Sequence, residues 1–263
     1  MRYSDFIFEV DDGVATIRLD NPDKLNAMSF QTYEGLERLT RELAHDDKVK
    51  VLVLTGTGRG FCSGGSVQDI IGALVKMEPE SLYGFTRMSC NVVQNIRNLK
   101  KPIIAAVNGL AAGGGAMLAL GCDLRILSDR AKFAFLFAKA GLAGSDMGAL
   151  YLLPRIIGLG RAAELLLLGD TIDAQESYRM GLANRVVPHE SLMQEVYQLA
   201  RRLKEGPLYA TGVTKELLDL EADLDMNAAF EMEAKAQAKC METPDFREAY
   251  QAFMEKRPPR FNR

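Results

Sequence analysis

Histidine is scarce in this chain of 263 residues, which has two, His45 and His189. His45 stands in the charged stretch ELAHDDKVK and His189 follows VVP, so both read as surface residues. With no histidine near a serine or cysteine motif, a Ser-His-Asp or Cys-His hydrolase triad has no base. Cysteine is sparse too. Cys62, Cys90, Cys122 and Cys240 show neither CxxC spacing nor a histidine companion, so no disulfide framework or metal cluster is expected. Reduced thiols of this kind favour a cytosolic location. Charge of one sign is also missing: 32 Lys+Arg against 35 Asp+Glu give a net charge of −3, which offers nothing for nucleic acid. The opening MRYSDFIFEVDDGVATIRLD places acids where an export signal needs an apolar core, and no such signal is expected.

No long apolar run reads as a membrane span. Pro102 to Cys122 carries no charge and approaches the ~20 residues a span needs, but Asn108 and Gly113–Gly115 divide it into a strand-like and a helix-like half. Otherwise the composition, 48% hydrophobic and 25% charged, is that of a soluble globular domain.

Strand and helix patterns alternate through the first two thirds. Strands are expected over 6–10 and 14–19 around an Asp-Asp-Gly turn, and over 51–54, 103–107, 124–127 and 132–137. Helices are expected over 30–44, from 67, and over 82–99, 115–120, 146–157 and 161–168, then a short helix, turn and strand within DAQESYRMGLANRVV. Residues 55–65 and 108–113 read as loops. From Glu190 the pattern is mostly amphipathic helix. Such alternation implies an α/β fold with mainly parallel pairing.

Both principal loops end a strand and open a helix with glycine: FCSGGSVQDI and LAAGGGAML. Free N–H groups at a helix start attract negative charge, and glycine lets a ligand reach them. No GK[ST] follows, and no GxGxxG register is present, so a nucleotide phosphate is a poor match. Two readings remain: tight helix–strand packing, or a pair of N–H donors aimed at a carbonyl oxygen that gains charge during reaction.

The segments NPDKLNAMS, GRGFCSGGSVQD, KPIIAAVNGLAAGGGAMLALGCDLRI and GLGRAAELLLLGDTIDAQESYRMGLANRVVP resemble the signature segments of the enoyl-CoA hydratase/isomerase (crotonase) family. The resemblance runs from about Phe6 to the C-terminal FMEKRPPRF. It implies a crotonase-like spiral of ββα turns over residues 1–200 and a helical C-terminal trimerisation region over 201–263. It also implies an acyl-CoA thioester as ligand, a homotrimer or dimer of trimers, and no cofactor beyond the coenzyme A of the substrate. By motif match the oxyanion donors are the N–H groups of Gly65 and Gly114.

The family's hydratases use two glutamates. One position matches Met117, three residues beyond the second oxyanion glycine, and the other aligns best with Phe137. Neither can titrate. A third family position, where isomerases and aromatic dehalogenases carry an aspartate, matches Asp146. One carboxylate suffices to take a proton from one carbon and return it to another, so double-bond isomerisation is expected, with hydration or aromatic-ring chemistry as the alternative. A binding protein without catalysis is the reading from another class. Met117, Phe137 and Phe135 are expected to line an apolar acyl pocket that raises the pKa of Asp146. Tyr83, Phe85 and Met88 suit either that pocket or a helical core stripe. For Asp146 a helix N-cap role is the simpler alternative, and Asp69 is a second candidate acid. Lys24, Lys256 and Arg257 are candidates for the CoA phosphates, or else solvated charges.

Overall fold

The computed structural model describes Met1 and residues 3–262. Strands β1 (Phe6–Asp11) and β2 (Val14–Leu19) form an antiparallel hairpin. Its turn places both Asp12 and Gly13 at positive φ, as a two-residue hairpin requires. Helix α1 (Phe30–Glu42) then returns the chain to β3 (Val51–Gly56), parallel to β2. Ser29 starts α1 with a capping box: its Oγ accepts from Thr32 N at 3.2 Å, while Ser29 N donates to Thr32 Oγ1 at 3.0 Å.

From β3 onward the chain repeats one step. Each long strand is followed by a short one that belongs to another sheet. β3 leads to β4 (Gly60–Cys62), β5 (Ile103–Val107) to β6 (Leu110–Ala112), and β7 (Leu124–Ser128) to β8 (Lys132–Ala134). The long strands and β10 (Arg185–Val187) complete a six-stranded sheet in the order β1-β2-β3-β5-β7-β10. The short strands and β9 (Thr171–Asp173) make a four-stranded sheet, β4-β6-β8-β9. This is the expected crotonase-like spiral: α/β, with parallel pairing except for the first hairpin and β8–β9.

A broken helix follows β4, with a π-helical turn over Val67–Ile71 running into α2 (Gly72–Leu74), and α3 (Pro79–Asn98) comes next. Helix α4 (Gly114–Gly121) follows β6 and is buried on every side. After β8 come α5 (Ala149–Ile157), α6 (Leu159–Leu168), α7 (Ala174–Arg179) and α8 (Leu192–Lys204). The central strands are apolar throughout because both faces are covered. Leu52, Leu54, Ala105 and Val107 face the main core with α1, α3 and α4. Val51, Val53, Ile104 and Ala106 face Leu192, Val196 and Ala200 of α8.

The boundary expected after residue 200 falls inside α8, and α9 (Leu208–Leu220), α10 (Met226–Met241) and α11 (Pro244–Met254) form the helical C-terminal region. Arg263, its last residue, lies outside the described residues. Helix α9 is tied to the spiral by the buried Lys215, whose Nζ donates to Asp123 at 3.0 Å and to the carbonyls of Ile96 and Lys101. Among the described residues no helix is long and apolar enough to cross a membrane.

Several local expectations are corrected. The loops read over 55–65 and 108–113 contain β4 and β6, and β9 lies in a stretch with no strand signal. Three-residue strands are too short for an alternating pattern to develop. The strand expected over 132–137 stops at Ala134, whose carbonyl accepts from Gly113 N in the last rung of its pairing with β6. The helix expected from 146 opens as a 3-10 turn, and regular helix begins at Ala149. His189 is half-buried rather than on the surface.

Candidate active site

Two asparagines brace the bend between β3 and β4. The Asn26 side-chain amide donates to the carbonyls of Thr57, Gly60 and Phe61 at 3.0, 2.8 and 3.2 Å. The Asn108 amide donates to Gly58 and Gly60 at 2.9 and 3.0 Å. Beyond β4 the chain passes Met28 in a single parallel bridge: Met28 N donates to Gly64 O at 2.7 Å and Ser66 N to Met28 O at 2.9 Å. The N–H between them, that of Gly65, has no hydrogen-bond partner among the described residues.

The second loop reaches the same place. Gly113 adopts φ +50 and ψ −123, open to glycine alone, and donates its N–H to Ala134 O at 2.9 Å. Gly114 then opens α4, so its N–H has no intrahelical acceptor and no partner among the described residues. The loops touch: a β-carbon on Gly64 would lie 3.3 Å from Gly114 N, and one on Gly115 would lie 2.2 Å from Cys62 O. One on Gly114 would meet Tyr33 Oη at 2.6 Å, Met28 Cε at 2.9 Å and Met147 Sδ at 3.3 Å. The three consecutive glycines thus serve three needs: a dihedral angle, an open N–H and a close backbone contact.

Asp146 arrives beside these loops through its neighbour Met147, which takes φ +49 in the 3-10 turn. The turn packs on α3. Asp146 is not a cap for α5, since Gly148 precedes that helix and no side chain caps it. Burial raises the Asp146 pKa, partly offset by the Met147 N–H. Its charge is felt by Tyr33, whose own pKa is pushed well above 10 by burial first, then by Cys62 and Asp146. A half-buried carboxyl with a raised pKa, in a turn that packs on α4, can pass a proton while a carbonyl oxygen takes up charge.

The chain matches the family profile described as enoyl-CoA hydratase/isomerase over residues 9–263. It belongs to that family. A 1,2-epoxyphenylacetyl-CoA isomerase from Escherichia coli (strain K12) is 35% identical over 252 residues, covering 96% of both chains. A crotonyl-CoA hydratase from Syntrophomonas wolfei is 33% identical, covering 99% of each. Among solved structures, one assigned to the enoyl-CoA hydratases, from Streptomyces coelicolor A3(2), is 47% identical with a TM-score of 0.97, covering 99% of this chain and 95% of that one. The protein is an acyl-CoA enzyme of the hydratase/isomerase type.

Within this family member, the two positions matched to glutamates are apolar and enclosed. Met117 is wholly buried on α4 and Phe137 is 5% exposed. Phe135 is wholly buried and stacked on Phe133, with ring centroids 6.4 Å apart. Asp69 is drawn away from acid duty: the Ser66 hydroxyl, donating at 2.8 Å, and Lys24, at 3.5 Å, lower its pKa. Lys24 therefore lies beside the first glycine loop. Lys256 and Arg257 lie past the end of α11, and the structure does not join them to the loops. Arg257 is held by Glu248 and Glu255, both at 2.6 Å. Tyr83 is exposed, while Phe85 and Met88 pack on the core.

Sequence reasoning missed Tyr33, Met28 and Met147. Tyr33 stands at helical spacing with Leu36, Leu39 and Leu43, and nothing in a helical repeat marks which member carries a polar tip.

Proposed function

We propose that this enzyme shifts a carbon–carbon double bond in an unsaturated or cyclic acyl-CoA, with Asp146 carrying the proton. The thioester oxygen accepts from the N–H groups of Gly65 and Gly114. The Asp146 carboxylate takes a proton from an acyl carbon, the C–H pair forms the C=C bond of an enolate, and the carbonyl π pair moves onto oxygen. The same carboxyl then returns the proton to another carbon. The observation that carries this reading is a single half-buried carboxyl, its pKa raised by burial, where both matched glutamate positions hold Met117 and Phe137. The likeness to a 1,2-epoxyphenylacetyl-CoA isomerase supports a ring-bearing substrate. Met117, Phe137 and Phe135 supply apolar walls for it.

Hydration is the second reading, favoured by the similarity to a crotonyl-CoA hydratase. In both readings coenzyme A enters as part of the substrate and no separate cofactor is used. Lys24, and Lys256 and Arg257 across a subunit contact, are assigned to its phosphates. Four free cysteines, two of them buried, suit the cytoplasm. The apolar side chains exposed on α10 and α11 suit a homotrimer or a dimer of trimers.

The test is solvent-deuterium exchange into linear and cyclic enoyl-CoA esters, with wild type against Asp146→Asn. Exchange that vanishes in the variant supports the proposal, and uptake of labelled oxygen from water would move it to hydration. Exchange unchanged in the variant would remove Asp146 from the chemistry. Tight binding with no exchange in either protein would leave a binding protein.

A further inference from the structure

Tyr33 sits on the inner face of α1, 3% exposed, with its ring edge-on to Phe85 at 5.4 Å between centroids. Its apolar part is thus fully used in the core. Its hydroxyl makes no hydrogen bond among the described residues, and it is not one of the fully enclosed unpaired polar atoms, which are Thr57 Oγ1, His189 Nδ1 and Glu221 Oε1; Oη keeps an opening through which an acceptor can arrive. That oxygen lies against Gly114, 2.6 Å from where a β-carbon would stand, in a group completed by Met28 and Met147. Met28 is the residue that bridges Gly65, and Met147 adjoins Asp146. The polar tip of Tyr33 therefore lies against Gly114, in a cluster whose other two members adjoin Gly65 and Asp146 along the chain.

We propose that Tyr33 is a further catalytic residue, whose Oη–H donates a third hydrogen bond to the thioester oxygen as it becomes an enolate. This rests on the proton-transfer reading above. When Asp146 takes the proton and the carbonyl π pair moves to oxygen, Tyr33 shares its proton with that oxygen without giving it up. Burial, Cys62 and Asp146 all hold the phenol in its neutral form, the form that can donate. An acceptor arriving at Gly114 gives that open hydroxyl a partner. The interaction strengthens as charge develops, so its effect belongs to the rate of turnover more than to substrate affinity.

The decisive experiment compares wild type, Tyr33→Phe and a protein with a ring-fluorinated tyrosine at position 33, each bound to butyryl-CoA, which has no double bond to move. The isotope-edited infrared band of the thioester carbonyl reports polarisation without turnover. Binding to wild type is expected to lower the band frequency, Tyr33→Phe to return part of that shift, and the more acidic fluorinated phenol to lower the band further. Phenylalanine keeps the packing on Phe85, so a purely structural role predicts the same band in all three proteins, and that result overturns the proposal. On a substrate that turns over, Tyr33→Phe is expected to lower kcat about tenfold, with KM changed less than about twofold. A wild-type band that does not move on binding would overturn the carbonyl site itself, and this inference with it. A wild-type shift retained in full by Tyr33→Phe would overturn only the role of Tyr33.

Discussion

The backbone of Gly115 lies so close beneath Cys62 that a β-carbon would come within 2.2 Å of the Cys62 carbonyl oxygen. The two glycine loops are therefore set against each other backbone to backbone, and the free N–H of Gly114 is placed by that contact. Gly115→Ala should drive them apart. Its expected cost is about 2–3 kcal/mol of stability in urea unfolding, as for an overfilled core. Deuterium exchange into a bound enoyl-CoA should fall with it in the molecules that remain folded. Gly160→Ala is the control: it lies in α6 with nothing within 4 Å of the added carbon, and a gain of about 0.5–1 kcal/mol is expected. Equal losses in both variants would show a general intolerance rather than a loop contact.

Asp146 ties stability to chemistry. Its pKa in the fold is raised by burial, so the folded chain holds that proton more tightly than the unfolded one. The contribution favours folding at pH below the unfolded value of about 3.9 and is lost as pH rises through the folded value. Near neutral pH the ionised carboxylate is thus a destabilising group. Asp146→Asn is expected to melt above wild type at neutral pH, with the gap closing as pH falls towards about 4. The same variant should lose proton exchange by about a hundredfold or more. The wild-type rate, which needs the carboxylate, should rise with pH along a limb displaced above the ordinary aspartate range. A melting gap that ignores pH would contradict the burial argument.

Much of this was legible in the chain. The apolar runs of β3 and β5 and the alternating helices specify covered parallel strands, and the motifs around Gly65 and Gly114 place the loops. The three-residue strands β4, β6 and β9 were not, because their identity lies in pairing with distant partners rather than in any local period. The 3-10 turn at Asp146 was hidden for a similar reason: Ser145-Asp146 before an apolar run has the form of a cap, and only the left-handed Met147 between them and α5 reveals otherwise. Tyr33 shows the limit of periodicity. The same spacing that identifies α1 treats its tyrosine as core, whereas the fold uses its ring as core and leaves its hydroxyl at the site.

Lys215 gives a prediction about how the C-terminal region is held. Its Nζ meets Asp123 at 3.0 Å, and Asp123 also receives Arg97 at 3.3 Å and the N–H of Ile103 at 2.8 Å. Lys215→Ala leaves part of that half-buried carboxylate unpaired and opens a cavity between α9 and α3. A loss of about 3 kcal/mol is expected in urea unfolding. Lys215→Met fills the space without the charge and should cost less, because Arg97 still neutralises Asp123. If both variants cost the same, charge pairing rather than packing fastens α9.

The exposed face of α11 bears on assembly. Phe246, Tyr250 and Phe253 recur at helical spacing and are 51%, 66% and 80% exposed, while Ala252 is the one buried residue of that helix. A lone chain gains nothing from holding such a stripe in water, and burying each ring against a second copy would contribute roughly 1.5–3 kcal/mol. Sedimentation equilibrium of the wild type is expected to give three or six chains per particle. Phe253→Glu would then have to bury a charge at the contact, so it should shift the mass towards the single chain without altering the melting of the spiral core. A wild type that sediments as a monomer would end the trimer proposal, and with it the placing of Lys256 and Arg257 at a neighbour's CoA phosphates, because the structure does not join those residues to the glycine loops of their own chain.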